Sequence, residues 1–199
     1  MYINTFKYKP EHVDCKLCTE YVKKQGCPAS GCPWLAERIE AGVVDYREMV
    51  METFSAYRCL TPRLNLLVKL FPGTLWTDEA HRQRMEGMKA QLGYRRRRDT
   101  PAFYAAMFLL TSNAEIYERA ANCFCKQGFV AEYARMKDVA PHDYALYVAA
   151  RHLCTGAGGV SPEDLADPEI IDPEAFRLIV NAMLIARYGL TALNIRAHE

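Results

Sequence analysis

The sequence predicts a mainly α, multi-helix globular domain with a small N-terminal lobe built on four cysteines, and three observations predict it. Four positions pair a capping residue with a following proline: Thr61-Pro62, Thr100-Pro101, Ser161-Pro162 and Asp172-Pro173. Such pairs start helices, because the cap side chain accepts an orphan amide and proline at the first helical position has no amide to satisfy. From Pro173 to Tyr188, residues Phe176, Ile179, Val180, Met183, Leu184 and Ile185 recur at helical spacing, giving an apolar face broad enough for the centre of a core. Finally, Cys15, Cys18, Cys27 and Cys32 fall in one eighteen-residue window as CxxC, eight residues, C, four residues, C.

In chain order, Tyr2 to Tyr8 mixes aromatic and β-branched residues and predicts a short strand, paired as a β-hairpin beside the cysteine loop. The cysteines follow. A CxxC turn brings two sulfurs to one ion and a second pair completes a tetrahedron, so Cys15, Cys18, Cys27 and Cys32 point to a structural Zn2+ site. Free or disulfide-paired thiols are the competing reading, and a reducing compartment disfavours the pairing. His12 stands three residues before Cys15 as a substitute ligand that four cysteines make unnecessary. Cys32-Pro33-Trp34 predicts a helix from Pro33 to Ala41, stopped by Gly42, with the fourth ligand at its N-terminus. Free amides and the helix dipole stabilise a thiolate there. Trp34 and Leu35 are expected to pack this lobe onto the body.

Further helices are predicted from Tyr46 to Tyr57, Pro62 to Leu70, Asp78 to Leu92, Pro101 to Leu110, Ala114 to Cys123, Pro141 to Cys154 and Pro173 to Tyr188. Asp45 with Glu48, and Ser161 with Asp164, have capping-box spacing, whereas Ala140-Pro141 is a start without a side-chain cap. Phe71-Pro72-Gly73 and Gly156-Ala157-Gly158-Gly159 read as turns. No repeat or long linker divides the chain. Residues 1–42 are therefore expected to form the zinc lobe and residues 43–199 the α-helical domain, packed as one unit.

Charge narrows the function classes. The 25 basic and 24 acidic residues leave +1, and four thiolates holding one Zn2+ would lower this to −1, so the chain as a whole is neither a polycation nor a DNA mimic. The opening residues MYINTFKYKPEHVDC carry no basic region followed by an apolar run, which predicts a protein without a signal peptide, in the cytoplasm. The most apolar window, Ala175 to Leu193, contains Arg177, Asn181 and Arg187, so no membrane span is expected.

Arg95, Arg96, Arg97 and Arg98 form the sharpest charge feature, between a helix end at Leu92-Gly93-Tyr94 and a helix start at Thr100. Such a run suits phosphate, RNA or an acidic protein surface, and Arg82, Arg84 and Lys89 are positioned to extend it. The plainer alternative is a solvated segment paired with nearby carboxylates. Glu163, Asp164, Asp167, Glu169, Asp172 and Glu174 fall mostly at caps and first turns, where the helix dipole accounts for them. Cys123, Cys125, His152 and Cys154 follow no usual zinc spacing and read as free buried thiols with a neighbouring histidine; Cys59 reads likewise. The five histidines are isolated. No nucleophile elbow, HExxH or P-loop occurs, and the GAGG stretch lacks the lysine and preceding strand a P-loop needs, so no enzyme is expected.

The segments CKLCTEYVKKQGCPASGCPWLAERIEAGVVDY, FPGTLWTDEAHRQRM, GYRRRRDTPAFYAAMFLLTSNAEIYERAANCFC and DPEAFRLIVNAMLIARYG resemble a family of small proteins encoded on conjugative elements of gut Firmicutes, over nearly the whole chain. LADPE and FRLIVNAMLIARYG also resemble segments of other accessory proteins of such elements. The resemblance implies a bacterial cytoplasm newly entered by mobile DNA, and action by binding rather than by catalysis. Anti-CRISPR proteins occupy that niche, including metal-containing inhibitors of type II Cas9 nucleases, and this chain looks like a candidate. The implied partner is Cas9 or its guide complex, with DNA loading or a conformational step obstructed, because Cas9 holds its heteroduplex and displaced strand in positively charged channels. Trp76, Tyr94, Arg95, Arg96, Arg97 and Arg98 are the expected contacts, as aromatic and arginine side chains anchor interfaces. The alternative is a zinc-containing nucleic-acid-binding regulator of element transfer. A small thiol or hydrolytic enzyme is a third reading.

Overall fold

The computed structural model describes residues 8–24 and 32–196, and nine α-helices form among them. They are α1 Leu35–Glu40, α2 Tyr46–Thr53, α3 Thr61–Lys69, α4 Glu79–Leu92, α5 Pro101–Leu110, α6 Ala114–Ala120, α7 Pro141–Thr155, α8 Pro162–Ala166 and α9 Pro173–Tyr188. A mainly α fold is therefore present. The described residues contain no strand; an isolated antiparallel bridge joins Phe124 and Phe129. The expected strand of the β-hairpin, Tyr2 to Tyr8, lies outside the described residues apart from Tyr8.

Helix starts follow local chemistry closely. Thr100 accepts from the Phe103 amide, Asp172 from the amides of Glu174 and Ala175, and both expected capping boxes form, at Asp45 with Glu48 and at Ser161 with Asp164. The latter opens α8, a five-residue helix within a stretch where the sequence reading placed a start but drew no helix. Thr61 departs from expectation. A 3₁₀ turn, Arg58–Leu60, runs straight into α3, so Thr61 is already helical (φ −50°, ψ −44°) and Leu60 occupies the N-cap without a side-chain bond. Likewise α1 begins at Leu35 rather than Pro33, after a turn. Cys32 thus lies two residues ahead of the N-cap, Trp34, instead of at the helix N-terminus, where the helix dipole was expected to act on it.

The core is organised around α5. Ala105, Ala106, Met107, Phe108, Leu109 and Leu110 are each no more than 1% exposed, so this helix is apolar on every side and sits between α7 and α9. Helix α9 covers it with Phe176, Ile179, Val180, Leu184 and Ile185, the face anticipated from the spacing. Each such large side chain stabilises the fold by about 1.5–3 kcal/mol when withdrawn from water. One polar group is buried in that face. Asn181 accepts from the Tyr46 hydroxyl at 2.7 Å and donates to the Leu75 carbonyl at 3.2 Å, joining α9 to α2 and to the loop before α4. Tyr46 also stacks on Phe71 with centroids 3.9 Å apart. No helix among the described residues is long and apolar enough to cross a membrane.

Three arginines close this frame by bonding to backbone carbonyls. Arg63 of α3 donates to Leu165, Asp167 and Ile171 at 2.7, 3.4 and 2.8 Å, and its guanidinium lies 4.1 Å over the Phe176 ring. It ties down the segment between α8 and α9. Arg84 of α4 donates to Thr111 and Ser112 at 2.7 and 2.8 Å, satisfying carbonyls at the end of α5. Arg98, the third, belongs to the candidate site.

Candidate functional site

Two regions carry the candidate residues. In the first, Cys15, Cys18 and Cys32 line one cavity of about 480 Å³ together with His12, Trp34 and Arg38. The Asp14 side chain accepts from the Lys16 amide at 2.9 Å and starts a 3₁₀ turn, Cys15–Leu17, which closes when the Cys18 amide donates to the Cys15 carbonyl at 3.0 Å. This turn presents the CxxC pair. Cys32 approaches from the other chain segment, just ahead of α1, and α1 is held by Leu35 and Ile39, both buried in the core. Cys27 lies outside the described residues. Among the described residues, no three His, Cys, Asp or Glu side chains stand close enough together to hold a metal. Trp34 differs from expectation: it is 49% exposed and lines the cavity, because it caps α1 from outside while Leu35 turns inward.

Arg38 gives the cavity its electrostatic character. Its Nη1 points at Cys32 Sγ, 3.9 Å away, and its Nε is buried without a hydrogen-bond partner. Burial disfavours its charge, but the bond to Cys32 and the electrostatic attraction of Cys15, Cys32 and Glu48 outweigh it, and the guanidinium is held above its ordinary value. Glu37 and Glu52 line the same cavity, yet neither forms an ion pair with Arg38; Glu52 is engaged by Arg187 at 2.7 Å. Three sulfurs, of Cys15, Cys18 and Cys32, and three carboxylates, of Asp14, Glu37 and Glu52, thus line the cavity that Arg38 enters. The three described cysteines line one cavity but are not grouped as metal ligands, and Cys27 lies outside the described residues.

The second region is the C-terminal end of α4. Gly93 ends the helix with φ +60°, a conformation other residues rarely adopt. Tyr94 is 76% exposed, Arg95, Arg96 and Arg97 are exposed, and none of these three arginine side chains forms an ion pair among the described residues. Arg98 is different. It is buried, paired with Asp99 at 2.5 Å, bonded to the carbonyls of Leu92 and Gly93, and placed 5.3 Å from the Phe103 ring centroid. Asp99 in turn accepts from the Arg95 amide at 3.0 Å and the Tyr104 hydroxyl at 3.1 Å. Of the four arginines, Arg98 builds the base and three remain on the surface.

Trp76 does not join them. It stands before the N-terminus of α4, half-buried against His81 and Phe108, and the fourteen residues of α4 separate it from Tyr94 by about 20 Å. The cations expected to extend the patch are also engaged elsewhere: Arg82 pairs with Glu79, Lys89 with Glu86, and Arg84 caps α5.

The remaining chemistry-bearing residues have structural settings. Burial pushes the thiols of Cys123 and Cys154 up to about 12, which keeps them protonated and unreactive at neutral pH, and both donate weakly to carbonyls. Cys59 is exposed rather than buried, since the 3₁₀ turn before α3 runs over the surface. His81 is fully buried. Its Nδ1 accepts from the Thr77 amide and its Nε2 donates to the Phe108 carbonyl at 2.8 Å, which fixes a neutral tautomer. His142 bonds Asp172 at 2.8 Å, linking α7 to the cap of α9. His152 rests against Gly159, where a Cβ would come within 2.9 Å of the imidazole. The acidic run serves caps and turns as its spacing suggested: Asp164 in a capping box, Asp167 on the Glu169 amide, and Asp172 on α9.

No family model, no curated protein and no solved structure matches the chain.

Proposed function

We propose that this protein is a zinc-stapled binding protein of a mobile genetic element that inhibits Cas9 by docking on the nuclease or its guide complex. The observation that carries the binding reading is the end of α4, where exposed Tyr94, Arg95, Arg96 and Arg97 stand on a base immobilised by Arg98 and Asp99. Aromatic and arginine side chains are enriched among the residues that supply most of an interface's affinity. Cas9 as the target and the bacterial cytoplasm as the setting are carried over from what the expected resemblance to proteins of conjugative elements implies. Docking obstructs DNA loading or a conformational step of the nuclease, and Trp76 belongs to a separate edge of the same contact or to none.

Structural Zn2+ is held by Cys15, Cys18, Cys27 and Cys32 in this reading. Its role is to supply folding energy to a lobe too small for a core of its own. Cys15→Ser or Cys27→Ser releases stoichiometric zinc; retention of zinc by both variants overturns the assignment.

Cleavage of target DNA by purified Cas9, with this protein added before or after guide and target, tests the function. Reduced cleavage on early addition is expected, and undiminished cleavage across Cas9 homologues overturns it. Replacing Tyr94, Arg95, Arg96 and Arg97 together by alanine lowers inhibitory potency at least about tenfold, as expected for loss of hot-spot contacts. Arg98→Ala instead lowers the melting temperature.

A second reading, a zinc-containing nucleic-acid-binding regulator of element transfer, is favoured by the three arginines without carboxylate partners. Gel shifts across a salt series decide it. Three phosphate contacts give a log–log slope near about −3, whereas absence of binding at low salt removes this reading.

A further inference from the structure

We infer that the end of α4 is a binding site for single-stranded nucleic acid: one unstacked nucleobase enters a cavity beside Tyr94 while Arg95, Arg96 and Arg97 hold neighbouring phosphates. The inference rests on the reading of this surface as the contact site and names what it contacts. A cavity of about 220 Å³ lies between the C-terminal end of α4 and α5, with Leu92, Tyr94, Phe103, Tyr104 and Met107 in its lining. Its rings are fixed in place. Phe103 and Met107, one turn apart on α5, are buried, and Phe103 stands edge-on to Phe124 with centroids 5.3 Å apart. The Tyr104 hydroxyl donates to Asp99 at 3.1 Å. Tyr94 is the exposed ring of the lining, and a pocket already shaped in the free protein lowers the cost of binding.

The carboxylates nearby are occupied. Asp99 lines the cavity but accepts from Arg98 Nε, the Arg95 amide and the Tyr104 hydroxyl, and Glu86 holds Lys89 Nζ at 3.3 Å. Arg95, Arg96 and Arg97 lie on a tight turn, closed where the amides of Arg98 and Asp99 donate to the Arg95 carbonyl at 3.0 and 2.9 Å. None of the three side chains forms an ion pair among the described residues. Three uncompensated positive charges therefore stand beside an apolar, ring-lined hollow.

Size decides the class of occupant. The cavity is smaller than the about 300–1,000 Å³ of pockets that take a complete small molecule, so one ring or side chain enters and the rest of the ligand lies outside, over the arginines. A nucleic-acid strand offers a planar ring next to an anion at every nucleotide. An acidic peptide does so only where an apolar residue stands among carboxylates. The arginine fork also matches phosphate in a bidentate manner. Bases of a duplex are paired and stacked, so only an unpaired nucleotide reaches the hollow without the cost of being flipped out. Asp99 and the Gly93 carbonyl are bonded to Arg98 already, so stacking rather than reading of base edges holds the nucleobase, and binding is tolerant of sequence.

The test uses the full chain with three fluorescein-labelled probes: oligothymidylate, its duplex with oligoadenylate, and a strand of equal length whose units lack bases. Fluorescence anisotropy is expected to show the single strand bound at least about fivefold more tightly than the duplex or the abasic strand, the lower bound for stacking one base on an aromatic side chain. Phosphate contact alone favours the duplex, whose charge density is higher. In a salt series the single strand should give a log–log slope near about −2, from three arginine contacts, and replacing Arg95, Arg96 and Arg97 together by alanine should flatten it. Tyr94→Ala and Phe103→Leu should each narrow the preference for the strand with bases. Should Phe103→Leu fail to fold, Tyr94→Ala decides alone, because Tyr94 is 76% exposed. Equal or tighter binding of the duplex or of the abasic strand overturns the inference and leaves phosphate contact alone. Absence of binding to every probe, with Cas9 still inhibited and inhibition still lost on replacing Tyr94, Arg95, Arg96 and Arg97 by alanine, overturns the inference and leaves the docking reading with a protein surface as partner. Absence of both binding and inhibition overturns both.

Discussion

His81 shows how a single residue can set the response of the whole fold to acid. Burial, with a further contribution from the nearby Arg84 charge, lowers its value from 6.5 to about 4 against the opposing bond to the Phe108 carbonyl. The unfolded chain therefore binds a proton between those values where the folded chain does not. Stability contributed by the neutral imidazole is complete above pH 6.5 and is lost as pH falls toward 4, a change on the order of 3 kcal/mol. Urea unfolding from pH 7.5 to 4 should show that loss in the wild type, and a flatter profile in His81→Gln. Arg63 acts at the same scale through three carbonyls. Arg63→Ala should cost about 3 kcal/mol, in line with loss of charge-assisted bonds, while Arg63→Lys recovers only part, as one ammonium cannot reach carbonyls of Leu165 and Ile171 with the same fork. Thermal melts of the three proteins check this.

At the scale of elements, helix starts were legible where their cause lies within four residues. Thr100, Ser161, Asp172 and Asp45 cap as their spacing indicates, because the bond from side chain to amide is local. Thr61 was misleading because the preceding turn reaches Arg58 and makes the threonine helical. The dominance of α5 was illegible for a different reason. A segment apolar on all sides carries no periodicity, so nothing in PAFYAAMFLL indicates which helices surround it. The roles of Arg63, Arg84 and Arg98 escaped too, since a guanidinium that bonds to a carbonyl has no partner of complementary type in the sequence. At the candidate sites the residue types were readable and their grouping was not: Cys15, Cys18 and Cys32 share a cavity, whereas Trp76 and Tyr94 fall at opposite ends of α4. Phe108→Ala, at the centre of α5, should cost about 3–5 kcal/mol in chemical denaturation, as it leaves a cavity enclosed on every side.

For the molecule as a whole, the described part of the cysteine lobe and the helical body differ in what holds them. Residues 8–24 contain no helix longer than a short 3₁₀ turn and no buried side chain, whereas the body rests on one continuous apolar core. If zinc is held as proposed, a chelator should accordingly leave most of the far-ultraviolet helical signal intact while making Cys15, Cys18, Cys27 and Cys32 reactive to alkylation. Collapse of the whole helical signal would show instead that the body depends on the metal.

The enclosure of α5 also has a consequence during synthesis. Its last residue, Leu110, is made about 60 residues before α9 begins at Pro173, so at about 5–20 residues per second the most apolar helix of the protein waits several seconds for its cover. Throughout that interval the nascent chain displays an apolar surface that α9 later covers. The pace of synthesis over residues 111–172 therefore sets how long that apolar surface stays uncovered.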